Sequence, residues 1–90
     1  MRVPAALREA SGGAQSVVVP TDGPSTVGAV LDALAGTHPA LERRLRDELR
    51  RVRVHVNLFV GADNIRDADG VGTVVSSGDE LTIIAAVSGG

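Results

Sequence analysis

The sequence predicts an α+β fold: a small mixed sheet of four to five strands, one main helix packed across it and a second short helix. Three stretches carry that expectation. Val27, Val30, Leu31 and Leu34 recur at i, i+3, i+4 and i+7, the spacing of one helix face. The run RVRVHVNLFV, residues 51–60, alternates: Val52, Val54, Val56, Leu58 and Val60 take one face, and Arg53, His55, Asn57 and Phe59 the other. Leu81-Thr82-Ile83-Ile84 reads as an apolar closing strand.

The remaining elements follow in chain order. Val3 to Leu7 reads as a short first strand, which Pro4 confines to an edge or a strand start because proline cannot donate to a ladder. Glu9-Ala10-Ser11-Gly12-Gly13 is a turn, and Gln15 to Val19 completes a hairpin. Thr21 to Thr26 is a loop ending in helix-capping residue types. Gly36 and Pro39 stop the main helix. Leu41, Leu45 and Leu49 then repeat every fourth residue, predicting a second amphipathic helix supported by Glu42–Arg46 and Asp47–Arg51 pairs at i, i+4. Gly61 to Gly72 is polar and irregular around Ile65, Thr73-Val74-Val75 adds a brief extended piece, and Ser77-Gly78-Asp79 turns the chain into the last strand, Glu80 to Ala86. Two strands, a helix, a short helical region and then further strands are satisfied by the β-grasp, one of several α+β topologies compatible with this order. Residues 1–84 form the expected domain, and 85–90 a flexible tail.

Composition narrows the chemistry. The chain has 90 residues, enough for one core, with 43% hydrophobic and 22% charged residues. Phe59 is its single aromatic side chain, so aliphatic residues must build that core. No cysteine is present, which excludes disulfides, thiolate metal sites and cysteine nucleophiles. All nine basic residues are arginine, so a side-chain Schiff base and a P-loop lysine are excluded as well. The formal net charge of −2 gives no global attraction to nucleic acid or anionic lipid. No run approaches the ~18 apolar residues of a membrane span, and Met1 to Pro4 does not open a signal peptide, so a cytoplasmic location is expected.

Few side chains suggest a site. His38 and His55 lie on different elements without metal-ligand spacing, and His55 reads as a strand-surface residue. Asp67-Ala68-Asp69-Gly70 lacks the acidic first and twelfth positions of a calcium loop, which here are Ile65 and Ser76. Gly70-Val71-Gly72 has Val75 where a dinucleotide fingerprint needs its third glycine. Arg43, Arg44, Arg46, Arg50, Arg51 and Arg53 are interrupted by Asp47 and Glu48; they read as a solvated helix face, with docking on an acidic partner as the other reading. Phe59 falls on the polar face of its strand, and Ile84 alternates out of phase with Leu81 and Ile83. Together they would begin a partner-binding patch; the other reading is ordinary surface exposure. The last residues, Val87-Ser88-Gly89-Gly90, offer one distinctive group, a main-chain carboxylate on glycines that can enter a narrow channel. A frayed terminus is the alternative.

These residues resemble the ThiS/MoaD-type sulfur carriers, small β-grasp relatives of ubiquitin, with the likeness greatest to the group of actinobacterial CysO-like carriers. The resemblance spans nearly the whole chain. Its matching stretches are Val3-Pro4 through Leu7-Arg8 with Gly12-Gly13, Thr26 to Val30, Val56 to Val60, Ile65-Arg66, Ser77 to Ile83, and Ala86 to Gly90. It implies a cosubstrate protein rather than an enzyme. An E1-like adenylating and sulfurtransferase enzyme of the MoeB/ThiF type would use ATP to adenylate the Gly90 carboxylate. Sulfur would then replace one oxygen, and the thiocarboxylate would supply a sulfur-accepting biosynthetic enzyme. The resemblance further implies docking through Phe59 and Ile84, tail access through Gly89, Ser88 and Val87, no bound cofactor or metal, and no maturation cleavage after Gly90. Ser88 stands where the family usually has alanine, Ala85 or Ala86 where proline is usual, and His55 at a position often aromatic. The small subunit of a molybdopterin synthase, a ubiquitin-like modifier of lysines and a non-reactive interaction module are the rival readings.

Overall fold

A computed structural model describes residues 1–17, 19, 23–76 and 78–85. The sheet is built around the chain's beginning and end. Strand β2 (Val56–Val60) pairs antiparallel with β3 (Asp63–Asn64) on one side and with β5 (Leu81–Ala85) on the other. On the far side of β5, Arg2 forms a parallel bridge to Thr82 and an antiparallel one to Ser16. The Arg2 N–H donates to the Leu81 carbonyl at 2.9 Å, and the Ile83 N–H donates to the Arg2 carbonyl at 3.1 Å. A first segment running parallel to the last strand in an otherwise antiparallel sheet makes the sheet mixed, as expected. A separate pair joins β1 (Ser25–Thr26) to β4 (Val74–Val75).

Helix α1 (Val27–Thr37) crosses the inner face of the sheet. Its start is set by Thr26, whose hydroxyl accepts from the Ala29 N–H at 3.1 Å. The predicted stripe is real: Val27, Val30, Leu31 and Leu34 are all buried, against Val56, Leu58, Leu81 and Ile83 from the sheet. Gly28 sits at a close approach, where a Cβ would lie 3.3 Å from the Val71 carbonyl oxygen. Pro39 opens α2 (Pro39–Leu45), where its missing N–H is no loss, and Leu41 and Leu45 complete the core. Gly61, at φ 60°, begins the two-residue turn from β2 to β3.

Three expectations are corrected. The first strand is not Val3 to Leu7; the ladder contacts involve Met1 to Val3, and Ala5–Leu7 is a one-turn 3₁₀ helix. Pro4 has no N–H to extend the ladder, and its carbonyl accepts from the Leu7 N–H at 3.0 Å. The second helix stops at Leu45, and Leu49 is 71% exposed. There Asp47 competes with the helix: its carboxylate accepts from the N–H groups of Leu49 and Arg51 at 2.9 and 3.0 Å, and Arg50 takes φ 61°. The Arg51 backbone donor, joined by Leu49 and the Arg51 side chain, outweighs desolvation and holds the Asp47 carboxyl below its usual pKa. Finally, residues 51–55 are not strand. Val52 makes one bridge to Arg46, while Val54 is 90% exposed and begins a turn with His55. Both of the expected i, i+4 ion pairs form, the second across a turn instead of a helix.

No helix among the described residues is long and apolar enough to cross a membrane. Ala85 is the last residue of β5, one beyond the expected domain limit. Val87, Ser88, Gly89 and Gly90 lie outside the described residues.

Candidate functional site

Two features define the candidate site: the outer face of the sheet and the point where the chain leaves β5. The pleat places Val56, Leu58, Leu81 and Ile83 inward, so the residues between them point outward. Phe59 stands opposite Thr82 on β5 and Asn64 on β3, and Ile84 stands opposite Asn57. Phe59 and Ile84 are therefore diagonal neighbours on the outer face, a spacing of roughly 7–8 Å that an aromatic ring can span. Ile84 is 50% exposed and Phe59 half-buried. Arg2, bridged to Thr82, extends the same row and pairs with Glu80 at 2.8 Å. The two residues singled out from the sequence thus lie together. His55 does not join them on a strand: it occupies the turn before β2 and is exposed.

Arg66 organises the border of this face, a role that a lone arginine in a polar loop does not reveal in the sequence. β3 is only two residues long, so it leaves the start of β2 without a neighbouring strand on that side. Arg66 fills that gap. Its Nη2 donates to the carbonyls of Val56, Arg53 and Val54 at 2.7, 3.1 and 3.3 Å, and its Nε to Asn57 Oδ1 at 3.2 Å. Asn64 Nδ2 also donates to Asn57 Oδ1 at 3.3 Å, and Asn64 Oδ1 accepts from the Arg66 N–H at 3.0 Å. A charged donor serving several carbonyls shields an open edge and fixes the turn. Arg66→Ala is expected to lower stability by about 1–2 kcal/mol, since the site is exposed and water replaces part of the network. Urea denaturation measures it; a change below about 0.3 kcal/mol would mean that the network is solvent-equivalent.

The last described rung pairs Val56 with Ala85, so the end of β5 lies beside the Arg53–His55 turn. Among the described residues no group of three or more His, Asp or Glu side chains could hold a metal ion. One shallow depression, beside α2, is lined almost wholly by charged side chains.

A mixed sheet with a parallel first and last segment and a helix crossing its inner face define a ubiquitin-like β-grasp protein. The family model of the ThiS family matches residues 1–90, and the chain belongs to that family. Small archaeal modifier protein 1 of Haloferax volcanii is 40% identical over 78 residues, covering 87% of this chain and 85% of that protein. The sulfur carrier protein CysO of Mycobacterium tuberculosis is 34% identical over 90 residues, covering 98% of this chain and 94% of that one. Among solved structures, the Amycolatopsis orientalis BexX/CysO complex contains a chain that matches with a TM-score of 0.85 and 31% identity, covering 99% of this chain and 96% of that chain. The crystal structure of SAMP1 from Haloferax volcanii matches with a TM-score of 0.83 and 37% identity, over 99% and 94% of the two chains.

Proposed function

We propose that this protein is a sulfur carrier that works through the main-chain carboxylate of Gly90. The observation that carries the reading is the ThiS-family match over residues 1–90, which includes the terminal Ser88-Gly89-Gly90. A carboxylate is a poor electrophile because it has no leaving group, so a partner must provide one. An E1-like enzyme would transfer AMP from ATP to the Gly90 carboxylate and release pyrophosphate. Sulfide, or an enzyme-bound persulfide followed by reduction with a thiol, would then attack the acyl carbon and expel AMP. The product is a thiocarboxylate, whose sulfur a biosynthetic enzyme can take. Cysteine or a specialised metabolite is the proposed end product, and the cytoplasm the proposed setting. The protein itself is a cosubstrate, in keeping with the carrier name of its CysO relatives. That a CysO was solved as a complex with BexX supports the idea of an enzyme partner here.

The activating enzyme would recognise the outer face around Phe59 and Ile84 and receive the tail, with Gly89, Ser88 and Val87 threading its channel. Ile84→Asp places a charge at the centre of that face without touching the core. It is expected to raise the KM for the carrier in ATP–pyrophosphate exchange roughly tenfold, with the melting temperature unchanged. An unaltered KM would remove Ile84 from the interface. The carrier reading itself is tested by the intact mass after incubation with the adenylating enzyme, ATP and a sulfide source. A shift equal to the exchange of one oxygen for sulfur is expected; an unchanged mass, with a control carrier converted in parallel, would overturn it.

A second reading is favoured by the 40% identity to a protein named as a modifier. In that case the activated Gly90 would acylate lysine ε-amines of other proteins. Isopeptide-linked adducts carrying the Gly-Gly remnant in extracts would reveal it. This chain, with no lysine, could not be extended on its own side chains.

A further inference from the structure

The charges of this protein are segregated along the chain. Between Glu42 and His55 six arginines meet three carboxylates, so this segment carries +3; with a whole-chain charge of −2, the remainder carries −5. The structure sorts the six arginines. Arg46 is buried and bonds Glu42 and Asp32 at 2.7 and 2.9 Å, Arg50 reaches Asp32 at 3.1 Å, and Arg51 reaches Asp47 at 3.0 Å. Arg43, Arg44 and Arg53 have no carboxylate partner among the described residues.

Arg53 Nε donates to the backbone carbonyl of Arg43 at 2.9 Å, and both residues line one shallow groove whose other charged side chains are Arg46, Arg50, Glu42, Asp47 and Glu48. The same turn carries Val54, an aliphatic side chain left 90% exposed, with His55 beside it. Its position relative to β5 is fixed. The Val56 N–H donates to the Arg53 carbonyl at 3.0 Å, and Val56 pairs with Ala85, the last residue of β5. The cationic turn therefore lies beside Ala85, at the end of β5, and directly precedes β2, whose outer face carries Asn57 and Phe59.

We infer that the segment from Arg43 to His55 is the second half of the docking surface, complementary to an acidic protein surface at the mouth of the channel that receives the tail. This inference rests on the carrier reading. The partner presents carboxylates to Arg43 and Arg53 and an apolar contact to Val54. Nucleic acid is the poorer occupant: the rest of the molecule is strongly acidic, and no aromatic platform accompanies the arginines. The segregated charge does more than attract. With Arg46 buried and Asp32 pairing both Arg46 and Arg50, the exposed positive charge rests chiefly on Arg43, Arg44 and Arg53; set against an acidic remainder, it turns this end of the molecule toward an acidic site, which raises the rate of productive encounter.

ATP–pyrophosphate exchange with the E1-like enzyme, measured at low and high salt, tests this. In Arg43→Gln/Arg53→Gln the KM for the carrier is expected to rise about tenfold at low salt with kcat within about twofold, and the difference to shrink at about 0.5 M salt, where screening is short-ranged. Arg43→Lys/Arg53→Lys, which keeps the charge, should hold the KM near that of the parent, and Glu48→Gln, which adds to the positive field, should lower it. Melting temperatures establish that the variants are folded. A KM unchanged in the glutamine variant, or raised equally in the lysine variant and at high salt, would overturn the inference and leave the carrier reading standing. Absence of exchange with the unmodified protein would overturn both.

Discussion

Deleting Gly90 is expected to abolish adenylation, and with it the gain of sulfur mass, while leaving the melting temperature unaltered. The reasoning separates chemistry from folding. Among the described residues every buried core side chain lies between Val3 and Ile83, and the last rung is at Ala85. The deletion moves the carboxylate one residue inward and puts Gly89 in its place, so it shortens reach without removing a charged end. An enzyme that aligns the carboxylate with the ATP phosphate tolerates little displacement; misplacement by about 1 Å can cost on the order of 100-fold. A full residue, about 3.3 Å of extended chain, should therefore reduce exchange below detection. Near-normal exchange by the shortened protein would mean that the partner does not measure tail length, and the assignment of Gly90 would fall.

Removal of the Arg46 side chain is the change expected to harm the fold most among polar positions. Its side chain is 4% exposed, and it holds Glu42, itself 15% exposed, and Asp32. A buried charge is tolerable only while paired, and taking one member away strands the other; the usual cost is about 3–5 kcal/mol. Because Asp32 remains half exposed and can rehydrate, about 3 kcal/mol is expected for Arg46→Ala. For a domain of this size each kcal/mol corresponds to about 4–8 °C in melting temperature, so thermal unfolding reads the effect easily. Arg46→Met/Glu42→Gln, which removes the stranded charge and keeps volume, should recover at least half of the loss. If the double variant were no better than Arg46→Ala, packing rather than charge pairing would be the source of the stability.

The pattern of what was legible follows from which interactions are local. The α1 stripe could be read because four aliphatic residues at helical spacing need only one face to bury, and all four are buried. Phe59 and Ile84 could be read because alternation within each strand assigns a face regardless of partner, and the register then made them diagonal neighbours. The run of residues 51–55 alternates just as regularly, yet alternation does not supply a neighbouring strand. The last described rung of β5 reaches only to Val56, and Asp47 and Arg66 bind the preceding backbone into turns. Leu49 likewise fits a helix by spacing but not by core: Leu41 and Leu45 already fill the space beneath α2, and the buried Arg46 ends it. Arg66 had no signature at all, because its significance comes from carbonyls 10 to 13 residues earlier in the chain. The chemistry proposed for Gly90 rests on family likeness alone, since two glycines constrain nothing by themselves.

The seating of the first segment beside β5 has a consequence for the protein's birth on the ribosome. Arg2, between Met1 and Val3, finds its hydrogen-bond partners at Leu81 and Ile83, which are synthesised far later than the segment they hold. A nascent chain can form α1 early, but it cannot close the sheet until β5 has emerged, and pairing of such distant segments is a slow step. A product halted before Leu81 would leave β2 and the N-terminal segment without the strand that lies between them, and would lack the half of the outer face that carries Thr82 and Ile84. The outer face, with Thr82 and Ile84 in place, is therefore complete only on chains translated through β5.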